Sequence, residues 1–306
     1  MKKKTGKNLR RNQLYLWSLC LVPMLLVFIF NYLPMGGIVL AFKNYNYSKG
    51  IFGSDWVGLN NFKFFMLSND FVRITWNTLY MNFLFIVFGI FSSLVVAVLL
   101  FELHSRNATK VYQTILITPN FLSWVVVAYM AYAILHPANG FLNMILSRFG
   151  IAPIDWYMKP GAWPWILVIA SVWKNVGLDS VVYYAALMGI DTSLYEAAEI
   201  DGAGKWQRIR YILIPSIANL IIILTILKIG NIFRADFGLF YQLPRNVGTL
   251  YATTDVVDTY IFRTMRVNGN IGMSAAVGLL QSVVGFVLVL VTNWGAKRLD
   301  PESALF

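Results

Sequence analysis

The chain has 306 residues, of which 58% are hydrophobic and only 13% charged, with a mean hydropathy of +0.61. A soluble domain of this length carries about a quarter charged residues, so most of this chain must be solvated by lipid. The net charge of +11 does not point to nucleic acid, because no sustained basic helix interleaves with aromatics.

The largest basic cluster opens the chain: Lys2, Lys3, Lys4, Lys7, Arg10 and Arg11. An uncharged run over residues 12–42 follows it. That run is too long for a signal-peptide core and is followed by no convincing small-residue cleavage site, so it is expected to stay in the membrane as an uncleaved anchor. Residues 1–16 then read as a basic cytoplasmic tail and residues 17–306 as one transmembrane domain. The single cysteine, Cys20, leaves no intrachain disulfide to form.

A helix crossing about 30 Å of hydrocarbon needs about 20 apolar residues. Six stretches qualify: 17–41, 76–101, 113–135, 163–187, 209–230 and 271–294. The predicted fold class is therefore an all-α membrane protein with six transmembrane helices. Trp17, Trp76, Trp163, Trp165 and Trp294 sit at the edges of these stretches, where indole rings favour the headgroup level. The segments assigned to the inside are the denser in Lys and Arg, which places both termini in the cytoplasm.

Of the outer segments, residues 43–73 are rich in Asn, Gly and aromatics, and His136-Pro137-Ala138-Asn139-Gly140 is a breaker. Beyond it Phe141, Ile145, Leu146 and Phe149 recur at helical spacing, predicting a short interfacial helix.

The loop at about 188–215, between the fourth and fifth spans, carries the most information. Ser193 and Glu196 have the spacing of a capping box, and Gly202 and Gly204 can end the helix that follows. Ala197 and Ala198 give this helix a small, smooth surface fit for a groove in another protein, and Glu196 and Glu199 ring it with charge. The capping residues alone fit a surface helix without a partner equally well.

The complete string, Glu196-Ala197-Ala198-Glu199-Ile200-Asp201-Gly202-Ala203-Gly204 with Ile212-Leu213-Ile214-Pro215, resembles the EAA loop of ATP-binding-cassette import permeases. That pattern is Glu-Ala-Ala, three residues, Gly, nine residues, Ile, one residue, Leu, Pro. Glu196, Ala197, Ala198, Gly202, Ile212 and Pro215 match in register, and Ile214 replaces the leucine.

Asn139-Gly140-Phe141-Leu142-Asn143, Trp156, Trp173-Lys174-Asn175-Val176-Gly177, Ala185-Ala186-Leu187 and Ile190 resemble the carbohydrate-uptake branch. The stretch from Gln242 to Thr249, the stretch from Thr254 to Tyr260, and Ala304-Leu305-Phe306 resemble polysaccharide-type permeases of Gram-positive bacteria.

The resemblance implies a type I importer permease in the cell membrane of a Gram-positive bacterium, with a cytoplasmic coupling helix between helices 4 and 5. It implies a second permease subunit, usually an unlike one, two ATPase subunits, an extracellular substrate-binding lipoprotein and an oligosaccharide cargo. On this resemblance Glu196, Ala197, Ala198, Asp201, Gly202, Ala203 and Gly204 are the expected coupling residues. The chain has no Gly-x-x-x-x-Gly-Lys-Ser/Thr phosphate loop, so no cofactor is expected in it, and ATP and Mg are expected on the partner ATPases.

Lys174, Asn175 and Asp179 lie within the fourth span, where a charge is costly and must face protein or water. Asn175, Asp179 and Tyr183 recur at i, i+4 and i+8, so their face could line a sugar path, with Tyr183 or Tyr184 against a pyranose ring. A Lys–Asp or Lys–Asn contact serving only helix packing is the alternative. Lys228, near the end of its span, is expected to snorkel. Arg234 and Asp236 are expected at the outer mouth of the path. Ser274, Gly278, Gln281 and Gly285 form a small and polar stripe on the sixth span, read as close packing.

His104 and His136 fall on opposite sides of the membrane, and with no HExxH or cysteine cluster no metal site is expected. Asp255 and Asp258 read as turn-capping loop acids rather than a glycosidase pair. Two other readings remain open: an importer of a non-sugar solute, and a membrane enzyme or flippase acting on lipid-linked sugars. The latter leaves the EAA string unexplained.

Overall fold

The computed structural model describes residue 15, residues 17–103 and residues 105–299. The basic tail, His104 and the Ala304-Leu305-Phe306 terminus lie outside the described residues. The chain divides into two compact units, one made of Met1–Leu67 with Thr264–Leu279 and the other of Ser68–Arg263 with Leu280–Phe306.

In the first unit a continuous helical segment, α1, runs over Trp17–Phe42. Pro34 supplies no N–H to the helical ladder, and around it the helix changes pitch. Phe28–Tyr32 is a π-turn, closed by the Leu33 N–H on the Phe28 carbonyl, and Leu33–Phe42 is wound as a 3-10 helix. Beyond it two short strands, β1 (Lys43–Asn44) and β2 (Asp55–Trp56), pair antiparallel, with Phe42 stacked on Trp56 at 5.8 Å. The Asn61 amide donates to the Ala41 and Lys43 carbonyls at 2.9 and 3.1 Å and fixes where the chain leaves α1.

The second unit holds α2 (Asn69–Phe101), α3 (Arg106–Ile117), α4 (Trp124–Leu135), α5 (Phe141–Arg148), α6 (Trp163–Leu187), α7 (Thr192–Ile200), α8 (Lys205–Ser216) and α9 (Ala218–Gly230). They are followed by α10 (Phe237–Gln242), α11 (Val257–Arg266) and α12 (Ile271–Leu299), the last two crossing the boundary between units. Four of the described helices are long and apolar enough to cross a membrane. Two bent pairs bring the number to six when each pair is one span, so the fold is the expected six-span all-α one.

The third and fifth spans are not the straight helices that hydropathy predicts. The third bends by 98° between Phe121 and Trp124, and the fifth by 62° at Ile217, having begun at Lys205 rather than 209. Pro119 and Pro215 sit just before these bends, and each removes a backbone donor that a straight helix would use. The short interfacial helix is present as α5.

The core of this unit lies between α2 and α6, the most extensively packed pair. Toward the Trp163 end it contains Met81, Leu84, Leu167, Leu239, Leu243 and Leu250. Toward the Leu187 end a second cluster gathers Ala97, Val98, Tyr183, Leu187, Leu213 and Ile217. Gly177 lets α3 approach α6, since a Cβ there would run into the Leu116 carbonyl. Trp17, Trp76, Trp165 and Trp294 are exposed, as interfacial rings should be. Trp163 is not one of them: it is 0% exposed, and its indole N–H donates to the Trp156 carbonyl at 2.8 Å.

Asp255 is also different from expectation. Instead of capping a turn in solvent, its fully buried carboxylate takes a two-pronged contact from Arg263 at 2.9 and 2.6 Å. A third bond comes from Arg73 at 3.2 Å and a fourth from the Thr259 hydroxyl at 3.0 Å. Arg263 lies over the Tyr251 ring at 4.3 Å, and its carboxylate partner raises its pKa despite burial. The Asn77 amide binds the Asp255 and Ala252 carbonyls, both at 3.1 Å, tying this knot to α2. Asp255→Ala should cost about 3–5 kcal/mol by stranding buried guanidinium charge. Thermal unfolding in detergent would show it, and an unchanged midpoint would contradict the structural role.

Candidate functional site

The 188–215 loop folds as a helix, a tight stop and a second start. The cap of α7 is Asp191, whose carboxylate accepts the Ser193 N–H at 2.9 Å, and not the predicted Ser193–Glu196 box. Asp beats Ser here because it sits one residue before the first helical residue, where a side-chain acceptor reaches free N–H groups. The same bond holds the Asp191 carboxyl below the ordinary range. A depressed folded value means the cap is intact at neutral pH and is lost only as pH falls through that value.

At the other end Gly202, with φ +80°, makes the left-handed turn. The Ala203 N–H returns to the Ala198 carbonyl at 2.9 Å and the Gly202 N–H to the Glu199 carbonyl at 3.1 Å, a Schellman stop. Gly204 does not help to stop α7. It starts α8, its N–H taken by the Gln207 side chain at 2.8 Å.

This leaves Glu196, Ala197, Asp201, Gly202 and Gly204 exposed and Ala198 and Ala203 half-buried. Ala198, Asp201, Gly202 and Ala203 line a cavity of about 380 Å³ together with Gln207 and Tyr211. Large apolar groups are left bare around it: Ile200 at 86% exposure, Trp206 and Tyr211. Apolar patches of this kind mark protein or membrane interaction sites.

The inner face of α7 is anchored instead. The Tyr195 hydroxyl donates to the Glu102 carboxylate just beyond the end of α2, and its ring meets Phe101 edge-on at 5.9 Å. Arg208 of α8 lies over the same ring at 4.4 Å and pairs with Glu199 at 2.7 Å. Burial, with the Glu102 contact second, pushes the Tyr195 phenol up to about 12. Displacing α7 therefore moves the ends of two spans with it. Tyr195 and Glu102 escaped the sequence reading; the one available signal was an acid directly after a long apolar run.

The predicted path residues separate into two groups. In the first, the Lys174 ammonium binds the Asn120 carbonyl at 2.6 Å, at the bend of the third span, and lies 5.4 Å from the centre of the Trp124 ring. Asn175 accepts from the Asn120 amide at 3.1 Å, and Asp236 accepts from the Trp124 indole at 2.6 Å while capping α10. Asn120 and Trp124 thus join Lys174, Asn175 and Asp236 into one cluster. Neither was singled out in the sequence, although Thr118-Pro119-Asn120 inside an apolar run was the available sign of a break.

In the second group Asp179 pairs with Lys228 at 2.8 Å, each about one-third exposed. Lys228 is therefore held by a carboxylate within the protein rather than extended toward the headgroups. Tyr183 is buried in the Leu187-end cluster, so it does not share an open face with Asn175 and Asp179, and Tyr184 packs against that cluster. Arg234 is exposed and borders a cavity of about 320 Å³ with Asn231, Asp258 and Gln281. Asp258 is no free loop acid: burial raises its carboxyl pKa, countered by the Ala235 N–H at 2.9 Å and the Gln281 amide at 3.0 Å. Gln281 from the predicted packing stripe thus binds polar groups, including the Phe233 carbonyl at 2.9 Å, and Gly285 opens onto the cavity. Among the described residues no cluster of His, Cys, Asp and Glu could hold a metal.

The profile of the binding-protein-dependent transport system inner membrane component matches residues 79–302. The chain belongs to this permease family. It is 36% identical to Protein LplB of Bacillus subtilis (strain 168), over 93% of this chain and 89% of that protein. It is 32% identical to the polygalacturonan/rhamnogalacturonan transport system permease protein YteP of the same organism, over 95% and 90%. Among solved structures it resembles a chain of a bacterial ABC transporter that imports the acidic polysaccharide alginate. The TM-score is 0.86 at 32% identity, covering 97% of this chain and all of that one. A chain of the alginate transporter in complex with a periplasmic protein bound to alginate pentasaccharide gives 0.84 at 33%, covering 96% and 97%.

In a permease, irregular backbone at membrane depth persists only where it is buried in protein or lines a water-filled cavity. At the bend of the third span the Asn120 carbonyl is satisfied by the Lys174 ammonium. A double-mutant cycle on Asp179→Asn and Lys228→Met should give an interaction energy of about 0.5–3 kcal/mol in thermal unfolding. Additive single effects would mean that the two charges act independently.

Proposed function

We propose that this permease is one membrane-spanning subunit of an ATP-driven importer that passes an oligosaccharide by alternating access. The observation that carries the proposal is the α7 helix, bare on its outer face and locked on its inner face to the ends of two spans. The exposed Glu196 and Ala197 with half-buried Ala198, and the stop at Asp201, Gly202, Ala203 and Gly204, fit a groove of a partner ATPase. ATP and Mg would be bound there and not by this chain.

A second permease, expected to be an unlike one, completes the pair. A substrate-binding lipoprotein delivers the cargo; in support, the similar alginate transporter is in complex with a periplasmic protein bound to alginate pentasaccharide. The loop at 188–215 and both termini face the cytoplasm in this scheme, and the membrane is that of a Gram-positive bacterium. The oligosaccharide cargo is supported by the transport described for YteP and for the alginate transporter. The Lys174, Asn175 and Asp236 cluster, the Asp179–Lys228 pair and Arg234 are its proposed contacts along the path, with Tyr184 at its inner end.

Affinity purification from the native membrane in mild detergent, followed by mass spectrometry, tests the assembly. A second permease and an ATPase should co-purify. Recovery of the chain alone would favour a membrane enzyme or flippase.

Coupling is tested on the reconstituted complex. Glu196→Lys or Ala198→Trp should cut uptake at least tenfold, about 1.4 kcal/mol, while the permease folds normally and the ATPase still turns over. Tyr195→Phe, which removes only the hydroxyl bonded to Glu102, should lower the number of solutes moved per ATP. Unchanged transport stoichiometry in all three would remove α7 from the coupling path.

A further inference from the structure

At the Trp163 end of the second unit, α4, α10 and the turn after α10 border an open cavity of about 210 Å³. At roughly 30 Å³ per water this is the space of about seven waters, enough for one pyranose ring. Its polar lining is Tyr129, Tyr241, Gln242, Arg245 and Asn246, and it contains no carboxylate.

The backbone here is strained. Arg245 and Asn246 are consecutive and are the two non-glycine residues with positive φ among those described, at +55° and +53°. Glycine would adopt that conformation freely, whereas an L-arginine does not. Strain of this kind persists at ligand clamps, where the surroundings hold it in place. Here the Arg245 N–H returns to the Gln242 carbonyl at 3.2 Å, and the Tyr251 hydroxyl donates to the Asn246 side-chain oxygen at 2.9 Å.

The Arg245 guanidinium is aimed but not neutralised. It lies 4.0 Å from the centre of the Tyr132 ring, and among the described residues no acid pairs with it. Arg73, Arg208 and Arg263 of the same unit each engage a carboxylate, whereas Arg245 shares its lack of an ion pair among the described residues with the exposed Arg106, Arg148, Arg210, Arg234 and Arg298; its place in the cavity lining and over the Tyr132 ring sets it apart. A guanidinium that rests on a ring and has no ion pair keeps donors for a two-pronged contact with a carboxylate. The amides of Gln242 and Asn246 beside it suit hydroxyl groups. The phenol rings of Tyr129 and Tyr241 suit the apolar face of a sugar.

We propose that this cavity is a subsite for a carboxylated sugar unit of the cargo, with Arg245 taking the carboxylate and Gln242 and Asn246 the neighbouring hydroxyls. The proposal rests on the oligosaccharide-permease reading and narrows its substrate class to acidic glycans. It concerns residues apart from the Lys174 and Asp179 groups.

The test uses the complex of both permeases and the ATPases in discs of zwitterionic lipid, without the external binding protein, so that the selectivity of that protein does not enter. The probes are labelled trigalacturonate and its carboxyl-reduced, neutral counterpart. The wild-type complex should bind the acidic probe at least tenfold more tightly, and added salt should erode the difference. Arg245→Gln should bring the two affinities within about twofold, and Arg245→Lys should retain part of the preference, since it keeps charge but not the fork.

Equal binding of both probes by the wild type, or a preference that survives Arg245→Gln, overturns the subsite. So does loss of acidic-probe binding when phosphatidylglycerol is added to the discs, which would assign Arg245 to a lipid headgroup. If Arg245→Gln does not fold, Gln242→Ala decides: it should weaken both probes alike while leaving the acidic preference, and an abolished preference would count against Arg245 as its source. Measurable and equal binding of both probes would sink the subsite and leave the oligosaccharide-permease reading standing, whereas binding of neither probe would count against that reading as well.

Discussion

A backbone carbonyl in lipid has no water to accept from, so any span that bends must bring its own donor. The 98° bend of the third span creates such a need at Asn120, and the Lys174 ammonium meets it from the neighbouring helix. The end of α3 also carries the negative pole of its helix dipole, which favours a cation there. One long side chain thus offsets two costs at once, its own burial and that of the freed carbonyl. Around it Asn175, Asn120, Trp124 and Asp236 complete a set of polar contacts that α6, the bend and α10 share. The close approach of α3 to α6 at Gly177 holds the lysine within reach.

The two ends of the second unit are built for different work. At the Trp163 end, the fully buried Asp255 carboxylate collects two guanidinium groups, and losing it strands the Arg263 charge. Such a knot makes a rigid floor for the loops around it. At the Leu187 end, the contacts of α7 are partly exposed: the Arg208–Glu199 pair has a buried cation and an open carboxylate, and Tyr195 is half-buried. Contacts of that kind hold orientation without the large penalty of full burial, which suits the coupling role proposed for α7.

The legible part of the sequence was that governed by local rules. Six apolar stretches, the α7 helix with its Gly202 stop, the short α5 helix and the exposed tryptophans all follow from hydropathy, capping and turn chemistry. What escaped depends on distant partners. Hydropathy averages across a window and cannot see a bend, so residues 113–135 read as one straight span although Pro119 lay inside. Lys228 read as a snorkelling lysine because its partner, Asp179, lies 49 positions away. Tyr183 shares a helical face with Asp179 by spacing, but the second core cluster packs over that part of the face. Asp255 looked like a loop acid because burial of a loop by its own arginines leaves no periodic trace.

Bends and pairs together suggest why a permease of this kind keeps so many polar groups at depth. A straight, wholly apolar bundle would be cheaper to fold, yet it would offer a solute neither hydrogen bonds nor a place where helices can part. The Lys174–Asn120, Asn120–Asn175 and Asp179–Lys228 contacts, proposed to border the path, are made to a carbonyl, an amide or an oppositely charged group across a helix boundary. Contacts of that type can be exchanged for sugar hydroxyls at small net cost, because a hydrogen bond traded for another changes the free energy by far less than one lost outright. The Asp255 knot is different: its fully buried carboxylate is held by Arg263, Arg73 and Thr259 together, so opening it costs far more than opening the one-third-exposed Asp179–Lys228 pair. The division between exchangeable and non-exchangeable polar contacts thus separates the part of the second unit that can move from the part that cannot.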